Sequence, residues 1–446
     1  MIKKTGRWID ERLRVGHFAR EVLNKVFPDH WSFMLGEVAL YCFVVLVLTG
    51  TFLAFFFEPS LEKVTYTGEY DLLNGVEVSA AYRSVLHISF EVRSGLVMRQ
   101  IHHWAANIFL ATIVLHLCRV FFTGAFRRPR EINWIIGVTL LLLALGNGFT
   151  GYSLPDDLLS GTGLRIAYSI ALSIPVVGSW IAFLVFGGEF PSEQIISRLF
   201  VAHVYVIPIL IGGLLTAHLA ILWRQKHTQF PGPGRTETNV VGSKLWPTYA
   251  AKSIGLFCAV LAVLGALGGL IQINPVWLYG PFEPSAVTSP AQPDWYLGWT
   301  EGALRLFPPW ETRLWGYTIP SPFFPGVLLP GITFTLLYLW PFIEARFTRE
   351  DEIPHQLLDR PRDRPMRTVL GSATLAFYTV LFLAGSNDVI ARYLSVPVEG
   401  VTWVFRVLIF VLPAVVGFII FRMMRALKRT GAEGILHLSF RELVRG

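Results

Sequence analysis

The sequence predicts an all-α integral membrane protein with eight transmembrane helices, and three observations carry that prediction. Of 446 residues, 53% are hydrophobic and only 15% are charged, too little charge to cover a water-facing surface of this size. Eight apolar runs, at about 33–57, 96–122, 132–153, 199–223, 250–272, 325–343, 369–390 and 402–424, have the roughly 20-residue length that crosses a bilayer. Segments 1–31, 119–130, 224–252, 344–368 and 422–446, which lie on one side of those runs, hold 28 of the 38 Lys and Arg residues.

That asymmetry places both termini in the cytoplasm of a cell-membrane protein, consistent with an even number of spans. It also accounts for the net charge of +7, so no nucleic-acid partner is called for. Thr5 to Val26 alternates apolar and basic positions and is expected to lie along the membrane surface. No apolar core precedes a cleavage site there, so it does not read as a signal peptide. Three parts follow: a cytoplasmic amphipathic segment at 1–30, a four-helix bundle with outer loops at 31–226, and a C-terminal block of four helices at 227–446. The break falls at the Gly/Pro-rich stretch His227 to Thr238. The long connections 58–95, 154–198 and 273–324 face outward, and long ordered loops tend to carry function. Cys42, Cys118 and Cys258 all sit in apolar runs without CxxC spacing and read as small buried side chains.

Five of the eleven histidines fall inside spans, and an ionisable residue there is a functional-site hypothesis. Taken singly, each is equally well read as a satisfied core histidine. Spacing separates the two readings. His102 and His116 are 14 residues apart on the second span; His203 and His218 are 15 apart on the fourth. At 100° per residue, 14 residues fall about 40° short of whole turns and 15 leave about 60°. Each pair therefore lies roughly on one face, with about 21–22 Å between its members along the axis. The two spans run in the same direction, so His102 stands level with His203 and His116 with His218. Imidazoles facing across a bundle interior are axial ligands for two haems. His103 points about 100° away from His102 and reads as a non-ligand.

Flat rings need room. Gly36 and Gly50 on the first span, and Gly137 and Gly151 on the third, repeat the 14-residue spacing and would let porphyrin edges approach the backbone. Glycine is also common in membrane helices. Arg99, Arg119 and Arg198 lie near the histidines and suit haem propionates, or are snorkelling cations at span ends.

These features together resemble cytochrome b of the quinol:cytochrome c reductase (cytochrome bc) complex over nearly the whole chain. Added to the His and Gly pairs and the three arginines are Pro208, the run Gly-Tyr-Ser-Leu-Pro at 151–155, and Pro293-Asp294-Trp295-Tyr296 where the family has Pro-Glu-Trp-Tyr. Stretches 27–37, 122–134 and 226–236 are most similar to the actinobacterial branch. The resemblance implies two haems b, one of low and one of high potential, and a menaquinol/menaquinone substrate. Its partners would be a Rieske iron–sulfur protein and a di-haem c-type cytochrome, in a homodimeric complex often joined to a cytochrome c oxidase. It implies a Q-cycle: quinol is oxidised outside, one electron passing to the Rieske cluster and one to the low-potential haem between His102 and His203. That electron crosses to the high-potential haem between His116 and His218 and reduces quinone inside.

At the outer site the resemblance gives Asp294 as proton acceptor, one methylene shorter than the family's Glu. Tyr296 and Tyr152 would bond or gate the quinol, Pro293 and Trp295 frame it, and Gly163 keeps the slot open. An interfacial turn with aromatic anchors is the plainer reading of 293–296. Asp156 and Asp157 stand where the mitochondrial pattern has Trp-Gly and serve docking or proton exit, or form a solvated loop. At the inner site Ser253 stands where the family has a quinone-binding aspartate, leaving Lys252 and His227 as donors or as snorkelling cations. The alternatives are a di-haem b anchor of another dehydrogenase and a transporter with a histidine proton relay.

Overall fold

The computed structural model describes residues 8, 10–12, 14–286, 292–314, 316–348 and 354–434. Eight helices in it are long and apolar enough to cross a membrane: Trp31–Ala54, Gly95–Phe122, Glu131–Tyr152, Ile195–Gln225, Leu245–Leu270, Phe324–Thr348, Pro365–Ala384 and Val398–Lys428. Hydrocarbon offers no partner for backbone N–H and C=O groups, so apolar runs of this length close their bonds internally as helices. Leu48, Ile209 and Phe410 stand outward and exposed, as a lipid-facing surface requires.

Spans one and two pack together along their length, as do three and four, and span five leans on span two. Cys42, Val45, Ala105, Val260 and Leu264 form the core between spans one, two and five. Spans seven and eight form a second pair, with Val380, Leu381, Val401 and Phe405 at its centre.

Span boundaries shift by up to six residues from the expectation, and two of the shifts have a visible local cause. The seventh span stops at Ala384, and a separate helix, Asn387–Leu394, follows. Helix Gly298–Leu306 packs so closely there that a Cβ on Gly385 would sit 2.5 Å from the Gly298 carbonyl oxygen. The fourth span begins at Ile195 and contains a wide π turn at Ala202–Val206. Pro208, in the first turn beyond it, has no N–H to give to the preceding turn, which favours the wider winding.

The outer connections are folded. Loop 58–95 makes an antiparallel hairpin, Lys63–Thr65 with Glu77–Ser79, and helix Ala80–Phe90. Loop 154–198 forms helices Leu158–Leu172 and Gly178–Phe186. Loop 273–324 carries Val276–Tyr279, Gly298–Leu306 and a hairpin of Thr312–Leu314 with Tyr317–Ile319. The last two loops are stitched to each other where Leu158 N–H bonds Gly280 O at 3.0 Å and Phe282 N–H bonds Asp156 O at 3.0 Å. The 293–296 turn rests on the second and third spans, where Asp294 meets His103 and Tyr296 packs with Leu110, Leu141 and Ala144.

On the opposite end, helix Val15–Leu23 turns Ala19 and Val22 inward and His17, Arg20 and Glu21 outward. Thr5, Gly6 and Arg7, the start of the expected surface segment, lie outside the described residues. Strand Val26–Phe27 then pairs with Ser243–Lys244, joining the N-terminal segment to the entry of span five.

Candidate functional site

Each of the four glycines faces one of the four histidines. A Cβ on Gly50 would lie 3.0 Å from His102 Cε1, and one on Gly151 only 2.3 Å from His203 Cε1. At the other level Gly36 meets His116 Cε1 at 3.4 Å and Gly137 meets His218 Cε1 at 3.7 Å. Any larger side chain at Gly151 would displace the imidazole, so glycine is required there by space. The match is one to one at two depths.

His102 and His203 approach each other with ring centroids 6.1 Å apart. Two imidazoles bonded to one metal at roughly 2 Å each have centroids on the order of 6 Å apart, so this pair fits a shared iron. Their other nitrogens are engaged. His102 Nδ1 donates to Thr49 Oγ1 at 2.9 Å, whose own hydroxyl hydrogen goes to Val45 O at 2.7 Å. His203 Nδ1 donates to Asn147 O at 2.9 Å. Donation from Nδ1 fixes the tautomer and leaves Nε2 as the free ligand nitrogen. His116 Nδ1 is buried without a hydrogen-bond partner. The π turn explains the 15-residue spacing: it contains His203 and takes up one extra residue, so His203 and His218 share a face as His102 and His116 do.

The three arginines separate. Arg99 lines the cavity shared with His102, His203 and Gly151; its Nη2 donates to Asn274 O at 2.5 Å and its Nη1 is buried and unpartnered. Arg119 lies at the inner level, over the Phe33 ring at 4.1 Å, with its Nε and Nη2 buried and lacking hydrogen bonds. Both are free to meet an anionic group. Arg198 is not brought to the histidines. It donates to Phe183 O at 3.1 Å, Leu184 O at 2.6 Å and Gln194 Oε1 at 2.9 Å. Its guanidinium ties the fourth span to helix Gly178–Phe186.

Asp294 opens the short turn Trp295–Leu297 and is held from two sides. Tyr296 O–H donates to its Oδ2 at 3.0 Å, and His103 Nε2 lies 2.9 Å from both carboxylate oxygens. His103 therefore serves the acid, a role its position in the sequence did not disclose. A cavity of about 490 Å³ beside them is lined by His103, Asn107, Tyr152, Asn274, Pro293 and Trp295. A second of about 220 Å³ reaches Gly163, Tyr152, Pro293 and Glu301. Tyr152 borders both and also the histidine cavity, so it stands at the junction of all three. Beside the slot the Asp294 carboxylate is held by two protein groups, an arrangement suited to taking a proton from a hydroxyl.

Asp156 and Asp157 are not a solvated loop. They are 8% and 0% exposed, and Asp157 caps helix Leu158–Leu172 by accepting from Ser160 N at 2.6 Å. Burial pushes both carboxyls up to about 6, against the pull of Ser79 on Asp156 and of Ser160 on Asp157. A raised folded pKa means the protonated form is the better folded one. Stability from these groups is full below about pH 4, the ordinary range, and is lost as pH rises through about 6. Asp157→Asn, which keeps the cap, is expected to remove on the order of 1–3 kcal/mol of that decline. Thermal unfolding of variant and parent from pH 4 to 8 checks it; curves that stay parallel exclude the effect.

The inner candidates lie apart. Lys252 is half exposed and paired with Asp29 at 2.6 Å. His227 packs on Phe27 with centroids 4.6 Å apart. Burial, helped by Lys25, Arg119 and Arg130, pushes it down to about 4. It is a neutral imidazole near pH 7.

The family described as Cytochrome b(N-terminal)/b6/petB matches residues 107–281. The chain is similar to the cytochrome bc1 complex cytochrome b subunit of Mycobacterium tuberculosis (strain ATCC 25618 / H37Rv), 53% identical over 430 residues, covering 96% of this chain and 78% of that one. Its counterpart in Corynebacterium diphtheriae is 50% identical over 436 residues, covering 98% and 80%. Among solved structures, a chain of a hyperthermophilic respiratory Complex III superposes with a TM-score of 0.68 at 23% identity, covering 93% of this chain and 99% of that one. This last likeness concerns the fold.

Proposed function

The chain belongs to the cytochrome b subunits of cytochrome bc1 complexes, and from that premise we propose how its residues carry out quinol oxidation across a membrane. It is a multi-pass membrane protein, binds haem b, and acts as a subunit of a quinol:cytochrome c reductase beside Rieske and c-type cytochrome partners.

In our reading the chain holds two haems b, one between His102 and His203 and one between His116 and His218. The observation that carries this is the pairing of Gly50, Gly151, Gly36 and Gly137 with those four imidazoles. Bound there, the haems supply a one-electron path between the two faces of the membrane. Arg99 and Arg119 would hold the propionates; Arg198 has three protein acceptors instead.

At the outer site Asp294 accepts the quinol proton. His103 and Tyr296 hold the carboxylate in one orientation, and Tyr152 closes the slot between Gly163 and the imidazoles. Pro293 and Trp295 shape its mouth. We assign menaquinol as substrate on the resemblance of 27–37, 122–134 and 226–236, and both termini to the cytoplasm on the Lys and Arg asymmetry. A homodimeric complex with a di-haem c-type cytochrome, joined to a cytochrome c oxidase, completes the reading.

The test is a reduced-minus-oxidised spectrum and a quinol-driven cytochrome c assay on the purified complex. A b-type α-band with inhibitable turnover is expected. Preparations lacking that band would overturn the reading.

A further inference from the structure

Glu37 is an acid inside the first spanning helix, and its surroundings are specific. Ser253 Oγ donates to Glu37 Oε2 at 2.7 Å, Tyr41 O–H donates to the same oxygen at 3.2 Å, and Tyr249 O–H donates to Oε1. The donors come from spans one and five, so the carboxylate bridges the two helices. All four side chains are only partly buried. Glu37 follows Gly36, whose missing side chain makes room for His116. Glu37 lies in the first turn of helix Leu35–Ala54, where the helix N-terminus already favours a carboxylate, and three hydroxyls are gathered on it besides.

Hydroxyls are also the right company for an acid that changes charge. Each donates to the carboxylate and, by turning its hydrogen away, accepts from the carboxylic acid. The cluster therefore stabilises either protonation state without moving heavy atoms. Lys252 lacks this adaptability, because it is held by Asp29, and His227 is separated from the cluster by Phe27, which stacks on Tyr249 at 4.3 Å. Ser253, the position where the resemblance expects an acid, touches an acid supplied by the opposite helix.

We infer that Glu37, through its cluster with Ser253, Tyr41 and Tyr249, is the group that binds and protonates a quinone carbonyl oxygen on the inner side. This rests on the reading of an inner quinone site given above, and it replaces Lys252 and His227 as the donors. Reduction of one quinone to quinol takes two electrons and two protons. The electrons are those delivered inward by the b haems. Glu37 gives one proton to one carbonyl oxygen and regains it from cytoplasmic water; the other oxygen takes its proton from the same water.

The experiment uses the intact complex with its iron–sulfur partner reduced beforehand, so that added menaquinol reduces b haem only through the inner side. Glu37→Gln is expected to slow that phase on the order of a hundred-fold and flatten its pH dependence, with both haems still present in the spectrum. Moving the acid across the same hydrogen bond, Glu37→Ser with Ser253→Asp, is expected to restore most of the rate. An unchanged rate and pH profile in Glu37→Gln overturns the assignment. If Glu37→Gln loses haem, the exchanged pair decides: haem regained without rate overturns it as well. A parental complex showing two haems but no inner-side reduction refutes the inner site itself, and the role of Glu37 with it.

Discussion

Alanine in place of His203 is expected to lower the haem b of the purified complex from about two per chain to about one, and His102→Ala should do the same. Both imidazoles turn Nε2 toward the space between the second and fourth spans, because Nδ1 is already committed to Asn147 O and Thr49. Neither cavity wall offers a replacement nitrogen: the neighbouring imidazole, His103, is held 2.9 Å from both oxygens of Asp294. His103→Ala should accordingly keep both haems. A steric control makes the same point without removing a ligand. Gly151→Val puts carbon into a space where even a Cβ would be 2.3 Å from His203 Cε1, and the deficit should match that of His203→Ala. Pyridine haemochrome counts on each variant give the answer. Two haems retained in His203→Ala would remove that residue from the ligand set.

Asp294→Asn is the second large effect. Quinol:cytochrome c turnover is expected to fall on the order of a hundred-fold, the usual worth of a positioned general base, with haem content unchanged. The amide is isosteric and still accepts from Tyr296 O–H, so the loss reports basicity. His103→Ala leaves the carboxylate chemically intact but held by Tyr296 alone, and should cost roughly ten-fold, chiefly in kcat, through misplacement. Steady-state rates of both variants test the ordering. Parental turnover in Asp294→Asn would take the acid out of the proton path.

The eight spans were legible because membrane length and apolar composition leave a long uninterrupted trace, and charge asymmetry adds an independent one. The histidine and glycine spacings were legible for a related reason: helical geometry converts residue count into depth. What escaped depends on contacts between distant segments. His103 lies next to His102 and gives no local sign that a turn 191 residues later would lay Asp294 on it. Glu37 was one letter in a recognisable stretch, and only the approach of the fifth span brings Ser253 and Tyr249 to it. Arg198 had the right position beside His203 and the wrong neighbours, since the carbonyl ends of Gly178–Phe186 reached it first. The burial of Asp156 and Asp157 was hidden because two outer loops must close on each other before either acid leaves water.

The wide turn at Ala202–Val206 has a consequence for comparing chains. Where one coil takes in an additional residue, the ruler of sequence number no longer measures height in the bilayer. An arrangement counted as fifteen on one helix of the pair and fourteen on the other therefore describes the same two storeys, and a lineage can pass between the counts by gaining or losing a single codon beside Pro208. Alignments that penalise such a gap as a break in the helix would misplace every residue beyond it by one step, about 100° around the axis.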